Sequence, residues 1–240
     1  MSGAAAALSA ARRRLVVDSL GIWVIAIIVG GIFGFTARQG GLSLIEAIAF
    51  SSILFAGAAQ FAAVGLLVVG TPWPSIILLV WLLNARHLLY SASVAPYTTK
   101  LSLKLRAGLA YFLTDEAFAL TTAHIERLGR IDVRGAWYAG ATIFVPWNLA
   151  TIAGWLAGAA LPDPATIGLD VVFPAAMAGL AIGLVKDRAA LVALLVGCGS
   201  AVAAALVIDP SAAIMIGGLL GPLAGITLFG GAREQRSLKH

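Results

Sequence analysis

The sequence predicts an all-α protein, a polytopic membrane bundle of about seven or eight apolar segments with broken or re-entrant helices. Mean hydropathy is +0.98, 60% of the 240 residues are hydrophobic and 11% are charged. Several apolar stretches reach the roughly 18 residues that a helix needs to cross a bilayer. Because these stretches lack the alternation of a barrel strand, helices are the expected way to satisfy the backbone. We expect one multi-span membrane domain over residues 1–240.

Polar, glycine and proline breaks divide the chain into the segments of this bundle. The first three segments cover 15–36, 43–70 and 74–97. Later segments are separated by breaks at 129–134, 161–164, 186–188 and 209–210. The second segment opens with Ser43 and Glu46 in an S-x-x-E pattern, which predicts a helix N-terminus closed by a capping box.

The net charge of +5 does not indicate a nucleic-acid partner. The basic residues cluster at the ends of apolar segments, where they act as topology determinants in the lipid bilayer. Three arginines at 12–14 precede the apolar stretch Leu15–Phe35, which is too long for a signal peptide and lacks a cleavage pattern. We therefore expect an uncleaved first span with these arginines in the cytoplasm.

Enzyme and metal signatures are absent from the sequence. It contains no HExxH, GxSxG, P-loop or dinucleotide-binding pattern. Cys198 is the single cysteine, which excludes a disulfide framework or a cysteine metal site within the chain. We predict neither an enzyme nor a bound metal or cofactor.

A polar cluster interrupts the third segment. It consists of Asn84, Arg86 and His87, followed by Tyr90. A charge deep in lipid is costly, so ionisable groups there are functional candidates by default. At 100° per residue, Asn84 and His87 share one helix face and Arg86 and Tyr90 the other, so one face is expected to line a pathway while the other anchors the helix. The alternative is a structural ion pair of Arg86 beside a neutral core histidine.

A second polar cluster, Asp115-Glu116, lies in the middle of the apolar segment Leu105–Ala123. The two carboxylates point about 100° apart on a helix, so we expect them to divide roles. One would neutralise Arg86 and the other would titrate, since burial raises the pKa of a carboxylate while a nearby arginine lowers it. A purely structural pair with Arg86 is the alternative.

Two matching positions suggest an internal duplication. Gln60 and Asn148 each lie ten residues before a glycine and fourteen before a proline. The match predicts inverted repeats over 15–97 and 106–186, followed by two helices over 189–229. Small residues before Gln60 and Pro146 before Asn148 predict a helix break at each amide.

Small-residue spacings also predict close helix packing. They include Gly30 with Gly34 and Gly154 with Gly158. The triple Gly217, Gly221 and Gly225 in the last segment predicts a packing face, either inside the chain or in a homo-oligomer.

Three motifs together resemble those of a known family. They are Phe55–Phe61 (FAGAAQF), Asn84–Tyr90 (NARHLLY) running on to Ala95-Pro96-Tyr97, and Leu113–Phe118 (LTDEAF). In order and spacing they resemble the AzlC family of branched-chain amino acid exporters. The resemblance implies a multi-pass bacterial inner-membrane permease for hydrophobic amino acids, which works with a small AzlD-like partner subunit. Since no ATPase motif is present, an ion gradient is the expected driving force.

The two lines of argument combine into a site hypothesis. Substrate binding is predicted for Gln60, Asn84, Arg86, Tyr90 and Asn148, and proton coupling for His87, Asp115 and Glu116. Arg86 would bind the carboxylate of an amino acid, and Asp115 or Glu116 would bind its ammonium. Gln60 and Asn148 would fix its orientation. The rival hypotheses are a channel or an intramembrane enzyme that uses Arg86, His87 and Asp115, and a membrane scaffold without transport.

Overall fold

The computed structural model describes residues 3–160, 187–208 and 210–237, together with positions 178, 179, 182 and 185. Within these ranges every regular element is helical, which confirms the all-α class. The helices are α1 Gly3–Gln39, α2 Leu44–Ala49, α3 Gly57–Val68, α4 Trp73–Asn84, α5 Arg86–Thr98, α6 Leu103–Tyr111, α7 Asp115–Leu128, α8 Val133–Ala160, α9 Arg188–Val207 and α10 Pro210–Ser237, with a π-helical turn over Phe50–Leu54. The segment predicted between 161 and 186 lies almost entirely outside the described residues, so the inverted repeat stays a prediction.

Four of the described helices are long and apolar enough to cross a membrane. They are Ala5–Gln39, Trp73–Thr98 (α4 with α5), Val133–Ala160 and Arg188–Val207. In contrast, α3 has 12 residues, about 18 Å of helix, whereas a bilayer core is about 30 Å thick. The predicted segment 43–70 is therefore built from two short helices that meet at a break. Its start is as predicted: the Ser43 N–H donates to the Glu46 carboxylate at 2.7 Å, which closes the capping box.

The chain forms two compact units. The first comprises Met1–Gln60 with Trp81–Pro164, and the second comprises Phe61–Val80 with Ala165–His240. In the first unit α8 packs along α1, and α7 packs against both. In the second unit α9 and α10 form an extensive pair.

Glycines bring α1 and α8 into backbone contact. A β-carbon added to Gly30 would lie 2.9 Å from the Trp147 carbonyl oxygen, and one added to Gly34 would overlap the Thr151 carbonyl. A β-carbon on Gly154 would overlap the Gly31 carbonyl in the same way. The small-residue spacing therefore marks a real packing face, because only glycine permits this approach.

The glycine triple of α10 has a partner inside the chain. β-Carbons on Gly221 and Gly225 would lie 2.5 and 2.8 Å from the carbonyl oxygens of Ala193 and Ala189 in α9. The predicted packing face is thus used within the second unit. A homo-oligomer stays a prediction.

An ion-pair network ties the ends of α1, α7 and α8 together. The Arg12 guanidinium donates two hydrogen bonds to the Asp132 carboxylate, both of 2.7 Å. The His124 ring, which is 2% exposed, lies 3.2 Å from the same carboxylate. The hydrogen bond from Arg12 holds the pKa of the Asp132 carboxyl well below its usual range, with help from His124 and the Gly135 N–H, while burial acts in the opposite direction. Asp132 and His124 are both buried, so this contact at the helix ends is structural.

Replacing Gly34 by alanine is expected to lower the free energy of unfolding in detergent by about 1–3 kcal/mol, because the new methyl group overpacks the α1–α8 contact. Gly21 is the matched control on the same helix, since nothing lies within 4 Å of its β-carbon position. Gly21→Ala should leave stability unchanged or raise it by up to about 1 kcal/mol, the difference in helix propensity. Equal effects of the two variants would contradict the packing role.

Asp132→Asn is expected to cost about 2 kcal/mol at neutral pH. The value lies below the roughly 3–5 kcal/mol for a fully buried pair, because the Arg12 side chain is 37% exposed. Since the pKa of Asp132 is lower in the folded chain than in the unfolded one, the stabilisation is complete above the unfolded value of about 3.9 and is lost as the pH falls below it. Unfolding measured from pH 7 to pH 3 should show the difference between wild type and variant shrinking below about pH 4. Glu126→Gln, at an exposed carboxylate of α7, should show no such difference.

Candidate functional site

The break between α2 and α3 is a strained turn. The π-helical turn ends at Phe55, whose φ of 39° is left-handed, a conformation that aromatic residues rarely adopt. The Phe55 ring is held by three other rings, and its centroid lies 5.0 Å from that of Phe144. Such strain persists only where the surroundings enforce it, and it is concentrated at functional sites.

A chain of neutral hydrogen bonds crosses this break. The Gln60 amide nitrogen donates to Ser51 Oγ at 3.1 Å, and Ser51 Oγ lies 2.8 Å from Thr151 Oγ1. The Thr151 hydroxyl donates to the Trp147 carbonyl at 2.9 Å. Gln60, Ser51 and Thr151 are all 0% exposed, and Gln60 Oε1 has no hydrogen-bond partner among the described residues.

Asn148 lies next to this chain, but the helix break predicted there is wrong. Helix α8 runs without interruption through Pro146. Proline removes only one backbone donor from the helix. Because α1 packs along α8, tertiary contacts maintain the helix at that point. Asn148 Nδ2 donates to the Phe144 carbonyl at 2.9 Å, and Asn148 Oδ1 accepts from the Ser52 hydroxyl at 2.8 Å.

Two further breaks fall at the charged residues. Helix α4 ends at Asn84 and α5 begins at Arg86, but Ala85 between them keeps right-handed helical dihedrals. The predicted segment 74–97 is therefore one membrane-length stretch with a one-residue interruption at its polar cluster. Helix α6 ends at Tyr111 and α7 begins at Asp115, with Thr114 as its N-cap. The two carboxylates therefore occupy the first turn of a helix instead of the middle of one, where the helix dipole stabilises negative charge.

The charged residues meet across these breaks. Arg86 Nη1 lies 2.8 Å from Asp115 Oδ2, and the Tyr90 hydroxyl donates to Asp115 Oδ1 at 2.5 Å. The Tyr90 ring stacks on Phe118 with a centroid distance of 4.6 Å. The Arg86 and Asp115 side chains are 27% and 40% exposed, so the pair remains accessible. The expected partner of Arg86 is thus Asp115.

The other predicted residues, His87, Asn84 and Glu116, differ in how they contact this ion pair. The His87 ring contacts the edge of Tyr90 at a centroid distance of 5.7 Å. Tyr90 therefore contacts His87 with its ring and Asp115, the partner of Arg86, with its hydroxyl. The expected separation of Arg86 and His87 on two helix faces stays a prediction. Asn84 Oδ1 and Arg86 Nε are buried without a partner among the described residues. Glu116 is exposed, on a different side from Asp115.

The predicted site residues thus form two groups. Gln60 and Asn148 belong to a neutral group at the α2–α3 break, and Arg86, His87, Tyr90 and Asp115 form a charged group at the other two breaks. In the described part of the chain no hydrogen bond or ion pair links them. Sequence reasoning missed Ser51, Ser52 and Thr151, although the Ser51-Ser52 pair inside an apolar segment was a usable signal.

A partly open apolar cavity of about 250 Å³ lies among α5, α6, α7 and the start of α8, and its lining residues neighbour the charged group in sequence. Its wall includes Val94, Leu113 and Ala117. The polar part of the wall comes from Ser91, Thr98, Arg106 and Thr121. Ser91 follows Tyr90, while Leu113 and Ala117 flank the Asp115 turn, so the cavity and the ion pair share the same backbone segments.

Comparison with known proteins identifies the family. The family model described as AzlC protein matches residues 21–161, more than half of the chain. The chain belongs to the AzlC family. Inner membrane protein YgaZ of Escherichia coli (strain K12) is 32% identical over 218 residues, which cover 88% of this chain and 80% of that protein. An uncharacterized membrane protein of Archaeoglobus fulgidus is 37% identical over 142 residues, 57% of this chain and 63% of the archaeal one.

A third relative is an uncharacterized membrane protein of Helicobacter pylori (strain J99), 30% identical over 46% of this chain and 48% of that protein. No solved structure matches the chain. With its membrane-length apolar helices, the chain is a membrane protein of the AzlC family, and it is consistent with a membrane transporter.

Proposed function

We propose that the chain is a secondary transporter that exports branched-chain or other hydrophobic amino acids. The observation that carries the proposal is the Arg86–Asp115 pair, which joins the start of α5 to the first turn of α7. Intramembrane charges at helix breaks mark substrate and ion pathways in transporters. The family membership agrees with this function.

The charges of an amino acid match those of the pair. Its carboxylate can replace Asp115 on Arg86, and its ammonium can replace Arg86 on Asp115. Each charge then keeps a partner, which avoids the cost of leaving a partly buried charge unpaired. The Tyr90 hydroxyl orients Asp115 for this exchange, and Asn84 Oδ1 is a further free acceptor for the ammonium.

The apolar cavity gives the proposal its substrate class. Its volume of about 250 Å³ lies just below the roughly 300–1,000 Å³ typical of pockets for drug-sized ligands. The walls are mainly aliphatic, so a branched or linear aliphatic side chain suits them. Gln60 and Asn148, predicted as orienting residues, belong to the neutral group, and this proposal does not depend on them.

Proton coupling is assigned to His87, Asp115 and Glu116. Protonation of Asp115 would break its pair with Arg86 and free the arginine for substrate. His87 touches Tyr90, and exposed Glu116 adjoins Asp115, so both can influence that protonation. An ion gradient in place of ATP agrees with the absence of a P-loop.

A small AzlD-like membrane subunit is the proposed partner, and the bacterial inner membrane is the proposed location. The Escherichia coli relative is an inner membrane protein, which supports the location. Expression with and without the small subunit, in cells that lack other exporters, tests whether export requires it.

Arg86→Gln and Asp115→Asn are each expected to reduce export by about tenfold or more, because either change leaves its partner charge unpaired. The measurement is efflux from dipeptide-loaded cells that lack other exporters, over a panel of amino acids. Arg130→Gln and Glu126→Gln are the matched controls, since both side chains are exposed outside the site. Normal export by both site variants contradicts the proposal, and flux that does not saturate with substrate indicates a channel.

His87→Gln and Glu116→Gln are expected to keep export while weakening its dependence on an imposed pH gradient. Neither side chain makes the ion pair to Arg86, so substrate binding should change by less than about threefold. Export rates are compared with and without the gradient at equal protein abundance. If Asp115→Asn and Glu116→Gln both export normally across the gradient, the proton-coupling role is wrong.

A further inference from the structure

The neutral group at the α2–α3 break presents a buried oxygen atom with no hydrogen-bond partner. Because the Thr151 hydroxyl donates to the Trp147 carbonyl, the Ser51 hydroxyl must donate to Thr151. Ser51 Oγ is then an acceptor for the Gln60 amide nitrogen. The Gln60 side-chain nitrogen must therefore face Ser51, which fixes the orientation of the amide group. Its oxygen, Oε1, is fully buried and has no hydrogen-bond partner among the described residues.

Backbone carbonyls add further oxygen atoms at the same break. The left-handed Phe55 ends the π-helical turn, so the carbonyls of its last residues lie at a helix C-terminus. Among them, the Ser52 carbonyl accepts from the Tyr111 hydroxyl. The free carbonyls at a helix C-terminus carry partial negative charge that attracts cations.

The chemistry of these atoms selects one class of ligand. They are hydroxyl, amide and carbonyl oxygens, all neutral, and oxygen is the ligand that hard cations prefer. Divalent metals usually also require carboxylates, and the described residues contain no cluster of three or more His, Cys, Asp or Glu that could hold a metal ion. Interrupted helices of secondary transporters bind Na⁺ through similar unwound carbonyls.

We propose that Ser51, Gln60 and Thr151, with the carbonyl end of the π-helical turn, bind a monovalent alkali cation, Na⁺ or K⁺. The cation gives Gln60 Oε1 a partner and bridges the π-helical turn, α3 and α8. It thereby stabilises the strained turn at Phe55. This site goes beyond the export function, and it is separate from the Arg86–Asp115 pair.

The test is thermal unfolding of the purified full-length chain in detergent, with NaCl, KCl or choline chloride at constant ionic strength. The wild type should be stabilised in a saturable way by Na⁺ or K⁺ and not by choline, and the active ion identifies the ligand. Gln60→Met and Thr151→Val should raise the half-saturating concentration by about tenfold or more, because each removes one oxygen ligand. Thr36→Val is the matched control, since Thr36 is also buried with its hydroxyl on the carbonyl four residues earlier, at Ile32.

A further variant, Gln60→Glu, distinguishes an effect on the cation ligand from an effect on folding. It retains an oxygen at the same place and adds a negative charge, so it should lower the half-saturating concentration by about tenfold. If choline stabilises the wild type as strongly as the alkali ions, or if Thr36→Val weakens the response as much as Thr151→Val, the proposal is overturned. The efflux assay on Arg86 and Asp115 variants is independent, so failure here leaves the proposed export function intact.

Discussion

The backbone contact between α1 and α8 is the interaction on which the first compact unit depends. Gly30, Gly34 and Gly154 remove the side chains that would separate the two helices. In lipid the packing of helices relies on such close fit, because apolar side chains gain little by leaving apolar solvent. With α8 held against α1, Thr151 and Asn148 reach the π-helical turn before Phe55. The Arg12–Asp132–His124 network closes the same assembly at one end.

Helix α8 contains a proline and yet is not among the interrupted helices. Its proline does not interrupt it, because α1 packs along it. The breaks fall at Phe55, at Ala85 and before Asp115, each beside polar side chains. A freed backbone group is tolerated in a membrane only where protein or a water-filled cavity faces it. Interrupted helices and polar side chains therefore occur together, and they define where a ligand can bind.

The two polar groups differ in the chemistry they can perform. The Arg86–Asp115 pair is partly exposed and charged, which suits exchange with a zwitterion. The Ser51–Gln60–Thr151 group is fully buried and neutral, which suits a bound cation. Tyr111 lies at the end of the helix that leads into the Asp115 turn, and its hydroxyl donates to the Ser52 carbonyl.

The sequence by itself determined the helical membrane class, through its hydropathy, and the capping box at Ser43, through a local motif. It also identified the polar residues inside apolar segments as candidates, because burying charge is costly. The glycine spacings likewise predicted packing faces that the structure contains. Only tertiary structure decided that α8 continues through Pro146, that Asp115 opens a helix, and that the predicted site divides into two groups. The physical reason is that a helix ends or continues according to which neighbours satisfy its freed backbone groups, and those neighbours lie far away in sequence.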